Sequence, residues 1–166
     1  MSPSSEQQQL IELRLQLDNM RKAADVLRYS YEKVSALFDG LHEQTRAEDV
    51  SYDALEALEA LCSRFARASD ILIQKLLRLI DMLDLETPGT LRDRINRAEK
   101  KSLIKGDDAI SIRDLRNEIA HDYIAEAVYE LSQNVLEYTP ALLEAYQNVC
   151  KYAKHKYGIE SYSSRA

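Results

Sequence analysis

The segment Arg113-Asp-Leu-Arg-Asn-Glu-Ile-Ala-His-Asp-Tyr123 gathers an arginine, an amide, an imidazole and a phenol between Arg116 and Tyr123. Each of these groups can bind a phosphate or move a proton beside one. Arg116 brings a permanently charged fork that can donate two hydrogen bonds to phosphoryl oxygens. His121 brings an imidazole, the side chain that exchanges protons most readily near neutral pH, and Tyr123 a hydroxyl for phosphate or a ring to stack on a base. Together they suit metal-free phosphodiester cleavage by a neighbouring hydroxyl. That reaction needs one proton removed, one delivered to the leaving oxygen, and the phosphorane charge neutralised.

Spacing sets conditions on such a site. Asn117 and His121 are four apart, hence adjacent on a helix, so the Asn117 amide can orient the imidazole. Arg116 and His121 are five apart, about 140° around the axis, so they reach one atom only if the backbone turns after Ala120 or two subunits contribute. A symmetric homodimer would supply His121 twice, once as acid and once as base. The plainer alternative pairs Arg116 with Asp114, Glu118 or Asp122 and leaves His121 to complement the helix dipole. His42, in a polar connection, and His155, among the lysines 151–156, read as solvated surface.

Apolar spacing describes the elements that must hold these residues. Leu10, Leu13, Leu17, Met20, Ala24, Leu27, Tyr31, Val34, Phe38 and Leu41 step by three and four, giving one long helix that ends near Gly40. A second runs from about Ser51 through Leu83 to the stop Thr87-Pro88-Gly89. Thr90 can cap a short third helix over 91–102, with Asp93 in its first turn. Asp107 or Asp108 can cap a fourth from Ala109 toward His121. The last stripe, Val128 to Tyr152, is interrupted by Pro140, which predicts a kink or a division. The expectation is all-α: an antiparallel helical bundle of about five helices, three long and two short, over 9–158, with disordered tails at 1–8 and 159–166. Tyr31 and Tyr138, on the stripes, read as core or interface aromatics.

Composition narrows the class. The chain has 166 residues, four Gly and three Pro, enough to bury a single core without disulfides or a structural metal. Cys62 and Cys150 lack C-x-x-C spacing, so a reducing, cytoplasmic setting is expected with no metal site. No apolar run reaches the length of a membrane span. No glycine-rich phosphate loop or G-x-S-x-G turn is present, and no cofactor is implied. The net charge of −6 argues against general coating of nucleic acid. The excess is local: residues 1–90 carry 10 cations and 16 acids, whereas 91–123 carry 8 and 7. Arg92, Arg94, Arg97, Lys100 and Lys101 could therefore guide phosphate toward the motif or simply form a solvated face.

Arg116-Asn-Glu-Ile-Ala-His121-Asp-Tyr123 reads R-x-x-x-x-H-x-Y and resembles the signature of HEPN domains, in particular HepT-like toxins of prokaryotic toxin–antitoxin pairs. The stretches 90–104 and 127–131 resemble the helices flanking that motif, and the likeness spans roughly residues 10–150, its specific part lying in 90–136. The resemblance implies a metal-independent endoribonuclease working as a homodimer, with catalytic Arg116 and His121 from both protomers in one cleft. Asn117 and Asp122 would support the site. It further implies a minimal nucleotidyltransferase antitoxin, adenylylation at Tyr123, and an RNA substrate such as tRNA or mRNA, with no membrane partner. Asp122 stands where many of these toxins have glycine; its carboxylate could hold His121 or oppose a phosphate. The family also contains noncatalytic modules that bind a nucleotidyltransferase or a nucleotide, and a purely structural helical dimer is the third reading.

Overall fold

The computed structural model describes residues 4–40, 46–121 and 125–160. Helix α1, Ser5–Asp39, starts with a capping box: Gln7 N donates to Ser4 Oγ at 3.2 Å and Ser4 N to Gln7 Oε1 at 2.9 Å. This corrects the expected start at Leu10, because the box folds residues 5–8, read as tail, into the first turns.

The second rod begins at a Ser51 cap as α2, Tyr52–Asp70. It then widens into a π-helical turn, Ile71–Leu76, and continues as α3, Leu77–Leu83. The π turn has no counterpart in the sequence reading, since the leucine stripe steps through it without a visible break. Its structural consequence is that Ile71, Leu72 and Ile73 are all buried.

Helix α4, Leu91–Lys100, carries a second capping box between Thr90 and Asp93. Helix α5, Gly106–His121, starts three residues before the expected Ala109. Gly106 N donates to Glu99 Oε1 at 2.8 Å, and a Cβ there would lie 3.0 Å from Glu99 Oε2, so glycine permits the close approach. Helix α6, Ala125–Tyr157, runs unbroken through Pro140, so the chain is not divided there. Beyond it Ile159 is buried and Glu160 pairs with Lys154 at 2.9 Å, which removes residues 159 and 160 from the expected tail. Residues 161–166 lie outside the described residues.

Paired positions give the directions of the rods. Cys62 meets Ser132 and Asp84 meets Tyr152, so 52–83 and α6 run parallel. Leu17 meets Tyr146 and Phe38 meets Tyr129, so α1 opposes α6. Asp70 meets Arg116 while Cys62 and Ala66 share a cavity with Ile119, so α5 opposes α2. The result is an all-α bundle, with α2 central against α1, α5 and α6.

Phe65, Leu58, Leu61, Leu72 and Leu76 from the second rod close on Leu13, Leu17, Met20 and Leu27 of α1. Tyr31 and Tyr138 pack at the core's margin. Buried Ser69, Ser132 and Thr139 satisfy their hydroxyls on carbonyls four residues back. Neither Cys62 nor Cys150 forms a disulfide among the described residues. Among the described residues no helix is long and apolar enough to cross a membrane.

Candidate functional site

Arg116 lies on α5 facing the last residue of α2. Its Nε donates to Asp70 Oδ1 at 2.8 Å and its Nη2 to Asp70 Oδ2 at 2.9 Å, a two-pronged pair between residues 46 positions apart. The Asp70 hydrogen bond, and then its charge, push the Arg116 guanidinium above its usual range and keep it cationic. Half-burial is what makes the fork usable: Arg116 and Asp70 side chains are 36% and 40% exposed. The opposite edge of the guanidinium carries Nη1, whose nearest acceptor is Asn117 Oδ1 at 3.4 Å.

Asp70 is placed by the helix geometry around it. It is the final α-helical residue before the chain widens, and such turns re-aim side chains that a regular helix would carry elsewhere. Ser69, Asp70, Ile73 and Gln74 then line a cavity of about 250 Å³ whose other wall is Arg113, Arg116 and Asn117. Arg113 is exposed and contacts Asp114 at 3.8 Å.

His121 is the exposed last residue of α5. The helix is continuous from Arg116, so the two side chains diverge by about 140° as the spacing requires. Asn117 turns its oxygen to Arg116, and among the described residues no hydrogen bond joins it to His121. Of the acids offered as plain partners for Arg116, Asp114 contacts Arg113 instead. The partner is Asp70, which the motif did not indicate. A signal existed: Ser69-Asp70 interrupts an otherwise apolar stretch from Ala68 to Ile73. Asp122, Tyr123 and His42 lie outside the described residues. His155 is exposed in the last turn of α6.

The basic residues of α4 divide into two groups. Arg97 reaches Asp81 at 3.0 Å and Glu86 at 3.8 Å, and Lys101 reaches Asp81, Asp84 and Glu86 at 3.4, 2.9 and 3.2 Å. Both are fastened to the bundle. Arg92 and Lys100 are exposed, and Arg94 lies along the second rod, donating to Ile73 O and Gln74 Oε1 at 3.4 and 3.3 Å.

Asp84 is the centre of the fastened group. Its side chain, 3% exposed, accepts from Tyr152 and Tyr157 at 2.5 Å each and pairs with Lys156 at 2.7 Å. Burial alone would raise its carboxyl, but hydrogen bonds from Lys156, Tyr152, Tyr157 and Lys101 outweigh that and hold it well below the usual carboxylate range. The same contacts tie the end of α3 to α4 and α6. They are structural, and they stand apart from the Arg116 cleft.

The chain matches no protein family, no curated protein and no solved structure.

Proposed function

We propose that the protein is a metal-independent endoribonuclease of HEPN type, acting in the cytoplasm as the toxin of a pair completed by a minimal nucleotidyltransferase. The observation that carries this reading is the Arg116–Asp70 fork, which holds a charged guanidinium with its outer edge at a cleft. An exposed histidine stands five residues further along the same helix.

In the proposed reaction the RNA 2′-oxygen bonds to phosphorus and the bond from phosphorus to the 5′-oxygen breaks. The products are a 2′,3′-cyclic phosphate and a 5′-hydroxyl. One imidazole accepts the 2′ proton, a second donates a proton to the departing 5′-oxygen, and Arg116 stabilises the charged phosphorane. One chain cannot aim both groups at one phosphate across a 140° divergence, so the site belongs to a homodimer in which His121 is supplied twice. Tyr123, beside it in sequence, would contact RNA or accept an adenylyl group that blocks the cleft.

A second reading draws on the same fork. All three Arg116 nitrogens have acceptors within the chain, two on Asp70 and one on Asn117, as they could in a noncatalytic module that binds a nucleotidyltransferase or a nucleotide. The discriminating experiment is incubation of total RNA and tRNA with purified protein in EDTA, beside His121→Ala and Arg116→Ala. Cleavage by the parent alone, leaving cyclic phosphate ends, supports the ribonuclease. No cleavage by folded protein unmodified at Tyr123 transfers the assignment to the binding module.

A further inference from the structure

On the other side of Gln74 from the Arg116 cleft lies a second cavity of about 420 Å³, lined by Arg78, Arg94 and Arg97, by Asp81 and Met82, and by the loop 86–90. Its charges do not cancel. Of the acids at this end of the bundle, Asp81, Asp84 and Glu86 pair with Arg97, Lys101 and Lys156, and Asp93 is turned to Thr90 in the α4 capping box. That leaves Arg78 and Arg94 over. Arg78 is exposed and forms no hydrogen bond or ion pair among the described residues. Arg94 is half-buried, and its acceptors are the Ile73 carbonyl and the Gln74 amide oxygen, neither carrying charge.

The electrostatics agree with the geometry. Burial lowers the proton affinity of the Arg94 guanidinium, and Arg78 and Arg97 repel it further against the pull of Asp81. Asp81 is already shared between Arg97 and Lys101. Two arginines with like charge, one short of solvent and neither facing a carboxylate of its own, favour an anion between them. Arg94 links the two cavities, because the Ile73 and Gln74 that receive its hydrogen bonds also line the cleft of Arg116.

We propose that Arg78 and Arg94 form a second phosphate subsite, joined through Gln74 to the Arg116 cleft, which holds a backbone phosphate of the RNA next to the one cleaved. The identity of the ligand rests on the ribonuclease reading; the existence of the subsite does not. The group recognised is a phosphate, and its two possible sources are an RNA strand and a free nucleotide. The subsite adds affinity and register without entering the reaction, as backbone contacts do in nucleic-acid recognition generally.

The test uses full-length protein and a short fluorescein-labelled RNA whose riboses are 2′-O-methylated, so binding is read by anisotropy without cleavage. Arg78→Gln combined with Arg94→Gln is expected to raise Kd roughly tenfold, the scale of losing charge-assisted hydrogen bonds. The slope of log affinity against log salt should shrink by about 0.7, the value for one phosphate contact on a single strand. Lys151→Gln combined with Lys154→Gln, an equal loss of two charges on exposed positions of α6, should change neither, and circular dichroism confirms folding in each. Unchanged Kd and slope in the folded double variant would overturn the subsite. If adenosine monophosphate competes as strongly as unlabelled RNA, and the same two substitutions abolish that competition, the site takes a free nucleotide and the RNA assignment is overturned. Loss of affinity and slope in a protein that cuts no unmodified RNA would support the subsite while removing the ribonuclease.

Discussion

Asp70 and Arg116 meet edge to edge, Nε to Oδ1 at 2.8 Å and Nη2 to Oδ2 at 2.9 Å, and this fixes the plane of the guanidinium on α5. A planar donor held along one side presents its other side in a defined direction, which a lysine ammonium cannot do. If Arg116 serves the proposed cleavage, Asp70 is the residue that positions it. Asp70→Asn should lower the single-turnover cleavage rate on the order of 10²-fold, the scale of a misplaced reacting group. Both partners are substantially exposed, so the stability cost should stay within about 1 kcal/mol. Asp70→Glu should recover part of the rate and Arg116→Lys none. Equal rates for parent and Asp70→Asn would remove Asp70 from the site.

The leucine stripes, the turn at 87–89 and the Thr90 cap are local signals, and the rods they describe are present. What escaped was long-range or cumulative. The π turn changes hydrogen-bond register without changing residue type, and a stripe at three-four spacing tolerates that inside a helix buried on several sides. The Asp70–Arg116 pair joins residues 46 positions apart, beyond the reach of any motif spacing. The basic character of α4 was legible as composition, but which cations are free depended on acids from the end of the second rod: Asp81, Asp84 and Glu86 claim Arg97 and Lys101. Of the two outcomes expected at Pro140, division does not occur, because a long helix packed on α1, α2 and α5 can lose one backbone hydrogen bond without breaking.

Assembly should be visible in the kinetics. If the reacting groups come from two chains, specific cleavage activity will fall when the protein is diluted through its dimer dissociation range. Sedimentation velocity at the same concentrations should show the dimer giving way to monomer. A monomer with full activity would contradict the paired-histidine mechanism.

The Asp84 cluster predicts an acid limit to stability. Its carboxyl is held below the ordinary value of about 3.9 expected in the unfolded chain, so the unfolded state takes up the proton first. The stabilisation is complete above that unfolded value and drains away as pH falls from about 4 toward the folded value. Urea midpoints measured through this window should drop steeply for the parent. Asp84→Asn should be less stable at neutral pH by about 2 kcal/mol, the scale of removing the charged acceptor from the hydrogen bonds that Tyr152, Tyr157 and Lys101 make to a buried carboxylate. Its midpoint should vary less with acid than the parent's, and parallel curves would exclude Asp84 as the source.

The π turn gives the last prediction. Deleting the exposed Lys75 removes the extra residue that widens the helix over Ile71–Leu76. Winding the same residues as a regular helix would rotate everything after the turn by about 100° relative to everything before it, and the widened turn absorbs that rotation. Without Lys75 a regular helix keeps both halves near their present faces, with Phe65 upstream and Leu76, Leu77 and Ile80 downstream still buried. What changes is the turn itself, where Asp70 is set against Arg116. The deletion should therefore lower the urea midpoint only modestly relative to Lys75→Ala, while lowering the single-turnover cleavage rate by displacing Asp70 from Arg116. A deletion variant as stable as Lys75→Ala, cutting RNA at the same rate, would show that the widened turn does not set the alignment of Asp70 with Arg116.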